Sequence, residues 1–148
     1  MRESQAPSTH APRWELYSHG ADVGIRGFGA LPDEAFEGIA LALTAAVCDP
    51  TAVFPNHRVD IICDAGDVEE LLYEWLNSVI YQMATRHMLF SLYRVTIVGT
   101  HLGAEAWGEL VDPERHQPAT EVKGATYTDL SVAELAPGRW RAQCIIDV

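Results

Sequence analysis

Apolar residues recur every three to four positions in two stretches of the chain and every second position in several others. The first helical stretch is predicted over Pro32 to Val47, where Phe36, Ile39, Ala40, Leu43 and Val47 fall on one face. Pro32 suits the first helical position, and Asp33 and Glu34 favour the positive end of the helix dipole. Leu31 is a poor cap, so the pattern fixes the start only to within a residue or two. Asp49-Pro50 stops the helix. The second helix opens after Gly66, with Asp67 as its cap and Glu70 completing a pattern like a capping box. Val68, Leu71, Leu72, Trp75, Leu76, Val79, Ile80 and Met83 then form a broad apolar stripe, which reads as core.

Period-two alternation predicts strands at Trp14–Tyr17, Val23–Phe28, Arg58–Cys63, Leu92–Val98 and Ala104–Val111. A further strand is expected where Thr120–Tyr127 leads on through Val132, and a last one over Arg139–Asp147. Gly24, Gly27 and Gly29 weaken the second of these and point to a bulge or a close backbone approach. Val53–Asn56 and Asp112–Pro118 read as loops, and Pro137-Gly138 as a turn. Consecutive strands joined by short turns imply antiparallel pairing. The expected fold is α+β: a largely antiparallel sheet with two helices packed on one face. No internal repeat or second domain is visible, so residues 13–148 are expected to form a single domain. Residues 1–12 are polar, carry two prolines and lack the apolar centre of a signal peptide, and so are expected to be a disordered leader. No apolar run approaches the ~20 residues needed to span a bilayer, so no membrane partner is expected.

Composition narrows the function. With 48% apolar residues in 148, the chain can bury a core and is not a disordered tail. A net charge of −11 repels phosphate backbones, so strong direct nucleic-acid binding is not expected. That charge suits cations or a basic protein partner, or simply aids solubility. Cys48, Cys63 and Cys144 are odd in number, widely spaced and set among apolar residues, with no C-x-x-C pair. They read as reduced, buried residues of a cytoplasmic protein and exclude a zinc ribbon.

Ser18-His19-Gly20-Ala21-Asp22-Val23-Gly24-Ile25 places a carboxylate among glycines at a strand entrance. The other end of the chain offers the Asp147 side chain beside the terminal carboxylate of Val148. Brought together, Asp22, Asp147 and that terminus would supply hard oxygen ligands suited to calcium or magnesium rather than zinc. Apart, they are merely solvated acids. His19, three residues before Asp22, fits a metal site or a general base, or a plain backbone hydrogen bond. The remaining histidines show no ligand spacing. Lys123 and Glu121 flank a strand entrance as an acid–base pair or, by default, a surface ion pair. The glycine spacing G-x-x-G-x-G has no phosphate-loop lysine after it, and no nucleophile elbow or triad pattern appears. The residues alone describe a domain with an acidic cation-binding option and no enzymatic machinery.

Read in order, these motifs resemble the archease family from Tyr17 to Val148. Tyr17-Ser18-His19-Gly20-Ala21-Asp22-Val23-Gly24 is similar to its Y-x-H-T-A-D-V/I-G. Glu34-Ala35-Phe36 is similar to its E-A-F, and Leu71-Leu72-Tyr73-Glu74-Trp75-Leu76 to its L-L-Y-x-W-L. Gly108-Glu109, His116 and Glu121-Val122-Lys123-Gly124-Ala125-Thr126-Tyr127 follow its G-E…H…E-V-K-A-x-T-Y, and Ile145-Ile146-Asp147-Val148 its terminus. The resemblance implies a non-enzymatic cofactor of the RtcB-type RNA ligase, active in tRNA splicing, that promotes ligase guanylylation and multiple turnover. It also implies a bound divalent cation, usually calcium, with Asp22, Asp147 and Val148 as ligands, and a role in activation for Lys123. Gly20 stands in place of the usual threonine and Thr128 where many members have histidine. The rival readings are a general chaperone-like binding module and a metal-dependent hydrolase using Asp22 and His19.

Overall fold

The computed structural model describes residues 13–148. The leader expected over residues 1–12 lies outside the described residues. The elements run β1 (Arg13–His19), β2 (Asp22–Gly29), α1 (Pro32–Val47), a 3-10 turn (Pro50–Ala52), β3 (His57–Asp64), α2 (Val68–Arg86), β4 (Met88–Val98), β5 (His101–Leu110), α3 (Pro113–His116), β6 (Gly124–Ala125), β7 (Ser131–Ala136) and β8 (Arg139–Asp147). Every strand pairing is antiparallel, and the α+β class is as the alternation indicates. The strands divide between two sheets. One runs β1-β2-β8-β6, with β7 also paired to β8; the other runs β3-β5-β4. Among the described residues no helix is long and apolar enough to cross a membrane.

The core lies where both sheets meet the two long helices. Phe36, Ile39 and Leu43 of α1 and Leu71, Leu72, Trp75 and Leu76 of α2 are fully buried. They pack with Ile25, Cys144 and Ile146 of the first sheet and Phe90, Leu102 and Ala106 of the second. The buried polar groups of Thr44 and Trp75 are paired, as burial requires. The Thr44 hydroxyl donates to the Phe90 carbonyl at 2.7 Å and meets the Tyr93 hydroxyl at 2.9 Å. The Trp75 indole N–H donates to the Phe36 carbonyl at 3.0 Å, tying α2 to α1. At Gly27 the strand backbone lies directly on α1: a Cβ there would fall 2.1 Å from the Ile39 nitrogen. Gly27 therefore marks a close backbone approach.

Three local expectations change. β4 begins at Met88, immediately after His87 closes α2 in the left-handed conformation (φ 54°). Met88, Leu89 and Phe90 are all buried, and a register irregularity follows between Phe90 and Leu92, so this end of the strand does not alternate. The expected strand from Thr120 through Val132 is mostly loop, with pairing only at Gly124–Ala125 and a strand starting at Ser131. Thr126 and Thr128 both bond to Ile145, N–H to carbonyl and carbonyl to N–H at 3.1 Å each, and Asp129 takes a positive φ of 56°. The chain thus arches over one residue of β8 instead of following it. At α2, Asp67 Oδ1 accepts the Glu70 N–H at 2.8 Å, but the Glu70 carboxylate accepts the Tyr127 hydroxyl at 3.1 Å rather than closing a capping box.

The helices also cap sheet edges, which otherwise present unpaired amides. On α1, Glu37 accepts the Val95 N–H at 2.8 Å and Asp33, one turn earlier, accepts that of Ile97 at 2.9 Å. On α2, Glu69 accepts the Val132 N–H of β7 at 3.2 Å and Asn77 that of Ala125 in β6 at 2.9 Å. Burial pushes the Glu37 carboxyl up to about 7, outweighing the Val95 hydrogen bond that pulls it down. A folded value raised above the unfolded one means that stability is full below the ordinary carboxylate value, about 4.5, and is lost as pH rises through about 7. Glu37→Gln keeps an acceptor for Val95 and removes the charge. Thermal unfolding across pH should show the variant more stable than wild type at pH 8.5, with the gap closing below the ordinary carboxylate range.

Candidate functional site

The sheet register assembles one end of the first sheet residue by residue. The β1–β2 hairpin pairs His19 with Asp22 across Gly20-Ala21. Gly20 has φ +60° and nothing within 4 Å of where a Cβ would stand. A positive φ at the first central residue of a two-residue hairpin favours glycine, so the departure from threonine suits this turn. On its other side β2 pairs with β8, Val23 opposite Ile146 and Gly24 opposite Ile145. One step further the same register sets Asp22 opposite Asp147. β8 then meets β6, with Gly124 opposite Asp147 and the Lys123 N–H donating to the Asp147 carbonyl at 2.7 Å.

Asp22, Asp147, Val148 and Lys123, far apart in the chain, are therefore neighbours at one sheet end, with His19 in the adjoining row. Asp22 is half-buried, Asp147 and Lys123 are exposed, and Val148 packs on the core. Directly opposed residues share a sheet face, so the Asp22 and Asp147 side chains leave the sheet on the same side. Among the described residues neither carboxylate forms an ion pair or side-chain hydrogen bond. No group of three or more His, Cys, Asp or Glu residues that could hold a metal is found among them either. The donor chemistry, two unpaired carboxylates beside a chain end, fits a hard divalent cation only if the terminal carboxylate completes it. The surface ion pair expected between Glu121 and Lys123 is not formed; both side chains extend into solvent on either side of buried Val122.

What holds Lys123 in place comes from α2, and the apolar pattern does not signal it. Asn77 accepts the Ala125 N–H, the Tyr73 ring stacks on Tyr127 at 4.3 Å between centroids, and Glu70 takes the Tyr127 hydroxyl. Thr126 Oγ1 donates to the Ile145 carbonyl at 2.8 Å, and Cys144 Sγ to the Thr126 carbonyl at 3.2 Å. Burial pushes the Cys144 thiol up to about 11, and all three cysteines are free and buried. On the opposite face of the sheet Tyr17 lies over Gly24, under the Arg26 guanidinium 3.8 Å from its ring, and its hydroxyl donates to Asp129 at 3.3 Å. An asparagine in the middle of an apolar helix was the one sequence signal for this frame. Asn77→Ala should cost about 1 kcal/mol and speed hydrogen exchange at Ala125 by roughly fivefold or more, measured against a distant β5 amide.

A second cluster forms around Glu109. Its carboxylate accepts both terminal nitrogens of Arg115 at 2.8 and 2.9 Å, and the Phe54 N–H at 2.8 Å. It also contacts His116 Nε2 at 3.0 Å. Because His116 Nδ1 accepts the Asp112 N–H at 2.8 Å, Nε2 carries the proton and donates to Glu109. The Arg115 hydrogen bonds, followed by that of Phe54 and reinforced by His116, hold the Glu109 carboxyl down to about 2. This network fastens α3 and the loop before β3; its members are saturated and leave no group free for catalysis. A depressed folded value gives stability that is present above the ordinary carboxylate value and lost as pH falls through about 2. Glu109→Gln should therefore lower stability by on the order of 2 kcal/mol at pH 7, and urea midpoints of variant and wild type should converge as pH drops toward 3.

The antiparallel α+β fold is that of a known class of small domain. The model of the Archease protein family (MTH1598/TM1083) matches residues 14–148, and the chain belongs to this family. It is 39% identical over 140 residues to protein archease of Pyrococcus furiosus, covering 92% of this chain and 99% of that one. The Methanopyrus kandleri archease is 35% identical over 139 residues, covering 91% and 99%. The solution structure of Methanobacterium thermoautotrophicum protein 1598 is similar with a TM-score of 0.71 and 27% identity, covering 91% of this chain and 98% of that one.

Proposed function

We propose that this chain is a non-catalytic activator of an RtcB-type RNA ligase, promoting guanylylation of the ligase and its multiple turnover in tRNA splicing or RNA repair. The observation that carries the reading is the register that opposes Asp22 to Asp147 at the chain end, with Lys123 hydrogen-bonded to the Asp147 carbonyl. Membership of the archease family supports it. Asp22, Asp147 and the terminal carboxylate of Val148 would hold a divalent cation, calcium in the first instance. When bound, the cation supplies the positive charge that lets these acids share a small volume. Asp22 and Asp147 then present a fixed, hard-oxygen surface, and Lys123 adds a mobile positive charge beside it. Together they would touch the nucleotide–metal centre of the ligase and favour its guanylylation-competent arrangement. The net charge of −11 keeps the protein from competing for the RNA. A cytoplasmic location follows from this role.

Multiple-turnover joining of RNA by a cognate RtcB-type ligase, with GTP and divalent metal, tests the reading. Wild-type protein should stimulate strongly; Asp22→Ala should lose most of that stimulation while unfolding at a similar temperature. A version with one residue added after Val148 should also stimulate poorly. Full activity of both would remove the acidic site from the mechanism. No stimulation of a competent ligase by wild type would sink the ligase partnership itself.

A further inference from the structure

The edges of β4, β6 and β7 are capped by helix side chains, but that of β3 is not. β3 is an outer strand of its sheet, eight residues long, with neither lysine nor proline to guard it. The Ala65 N–H donates to the Thr100 carbonyl at 3.2 Å, and ladder bonds alternate from there, so the amides of Arg58, Asp60, Ile62 and Asp64 point away from β5. The same alternation, carried across β5, turns the Val95 and Ile97 amides outward, where Glu37 and Asp33 cap them. Among the described residues the outward amides of β3 meet no such acceptor.

A groove of about 330 Å³ runs beside this edge, between β3 and α2. Ile62 and Tyr81 line it, 71% and 63% exposed. Asp60 and Glu74 line it as well, and no basic side chain does. Two arginines stand beside it: Arg58, held by Asp60 at 3.1 Å and Glu105 at 3.8 Å, and Arg86, which donates to Gln82 on the groove wall. A sheet edge beside a helix, with alternating apolar and charged positions, is the geometry that recognises an extended peptide by strand addition.

We infer that the β3–α2 groove binds an extended, basic segment of a partner protein, which adds to β3 as a fourth strand of the second sheet. The Arg58, Asp60, Ile62 and Asp64 backbone groups supply the ladder. Ile62 and Tyr81 take the segment's apolar side chains, and Glu74 takes its lysines or arginines. This inference does not rest on the ligase reading: it uses the edge of the second sheet, not the end of the first. A second copy of this chain is disfavoured as occupant by the net charge of −11.

The test uses the full chain and two fluorescent peptides, one alternating lysine and valine, the other glutamate and valine. The lysine peptide should bind saturably and slow amide exchange at Arg58, Asp60, Ile62 and Asp64, while Val59 and Ile61, already bonded to β5, change little. Ile62→Pro removes an outward donor without touching the β5 ladder and should weaken binding about tenfold. Should that variant fail to fold, Glu74→Lys, on the solvent side of α2, should weaken the lysine peptide and improve the glutamate one. Equal binding of both peptides, protection elsewhere, or binding indifferent to both substitutions would overturn the inference. Protection of the same four amides that rises with protein concentration, without peptide, would assign the edge to a second copy and overturn the partner.

Discussion

The pairing of β8 between β2 on one side and β6 and β7 on the other is the constraint on which the structure depends. A strand with partners on both edges satisfies its amides within the sheet and exposes none. Its alternate residues Ala142, Cys144 and Ile146 face the helices and are fully buried. Gln143 faces the other way and accepts from Arg26 at 2.9 Å. Ile145 faces the same way and is buried, its main chain bonded to the arch at Thr126 and Thr128. A one-residue slip would turn the buried set to solvent and the polar set to the core, so the register is held by burial along the whole strand. The same register leaves Asp147 opposite Asp22.

The second organising feature is the use of helical acids as edge caps. Asp33 and Glu37, one turn apart on α1, meet alternate outward amides of β4, because a helical turn of 5.4 Å approximates two residues of strand. The match costs something at Glu37, whose buried carboxyl is pushed up to about 7. On α2, Glu69, Glu70 and Asn77 perform the same office for the short strands β7 and β6 and the loop between them. A two-residue strand cannot hold itself, and β6 stands because α2 and β8 grip it from two sides.

The separated motifs thus have a common physical account. Phe36 of the first helix lends its carbonyl to Trp75 of the second. Tyr73, two residues before Trp75, stacks on Tyr127, and that residue sits in the arch that bonds Ile145. Glu109 and His116 form a closed network of their own around Arg115. Most residues of these motifs position other groups. Asp22, Asp147 and Lys123, gathered at the sheet end, are among those left unpaired within the described residues.

Much of this was legible in the chain. The period of 3.6 placed α1 from Pro32 to Val47, and the broad stripe of α2 identified most of the residues that bury, because local periodicity and burial on one face are the same fact seen twice. Antiparallel pairing followed from short connections. Asp22, Asp147 and Lys123 were visible as candidates by residue type and motif, but their adjacency was not, since it depends on which strand β8 chooses as its neighbour. Nor could alternation divide the strands between two sheets, or show that residues 120–130 would arch rather than pair, or that Glu70 would serve Tyr127 instead of its own cap. Those outcomes are settled by competition for hydrogen-bond partners between segments distant in sequence. The periodicity of a segment reports which face it buries, and only the assembled fold decides against what.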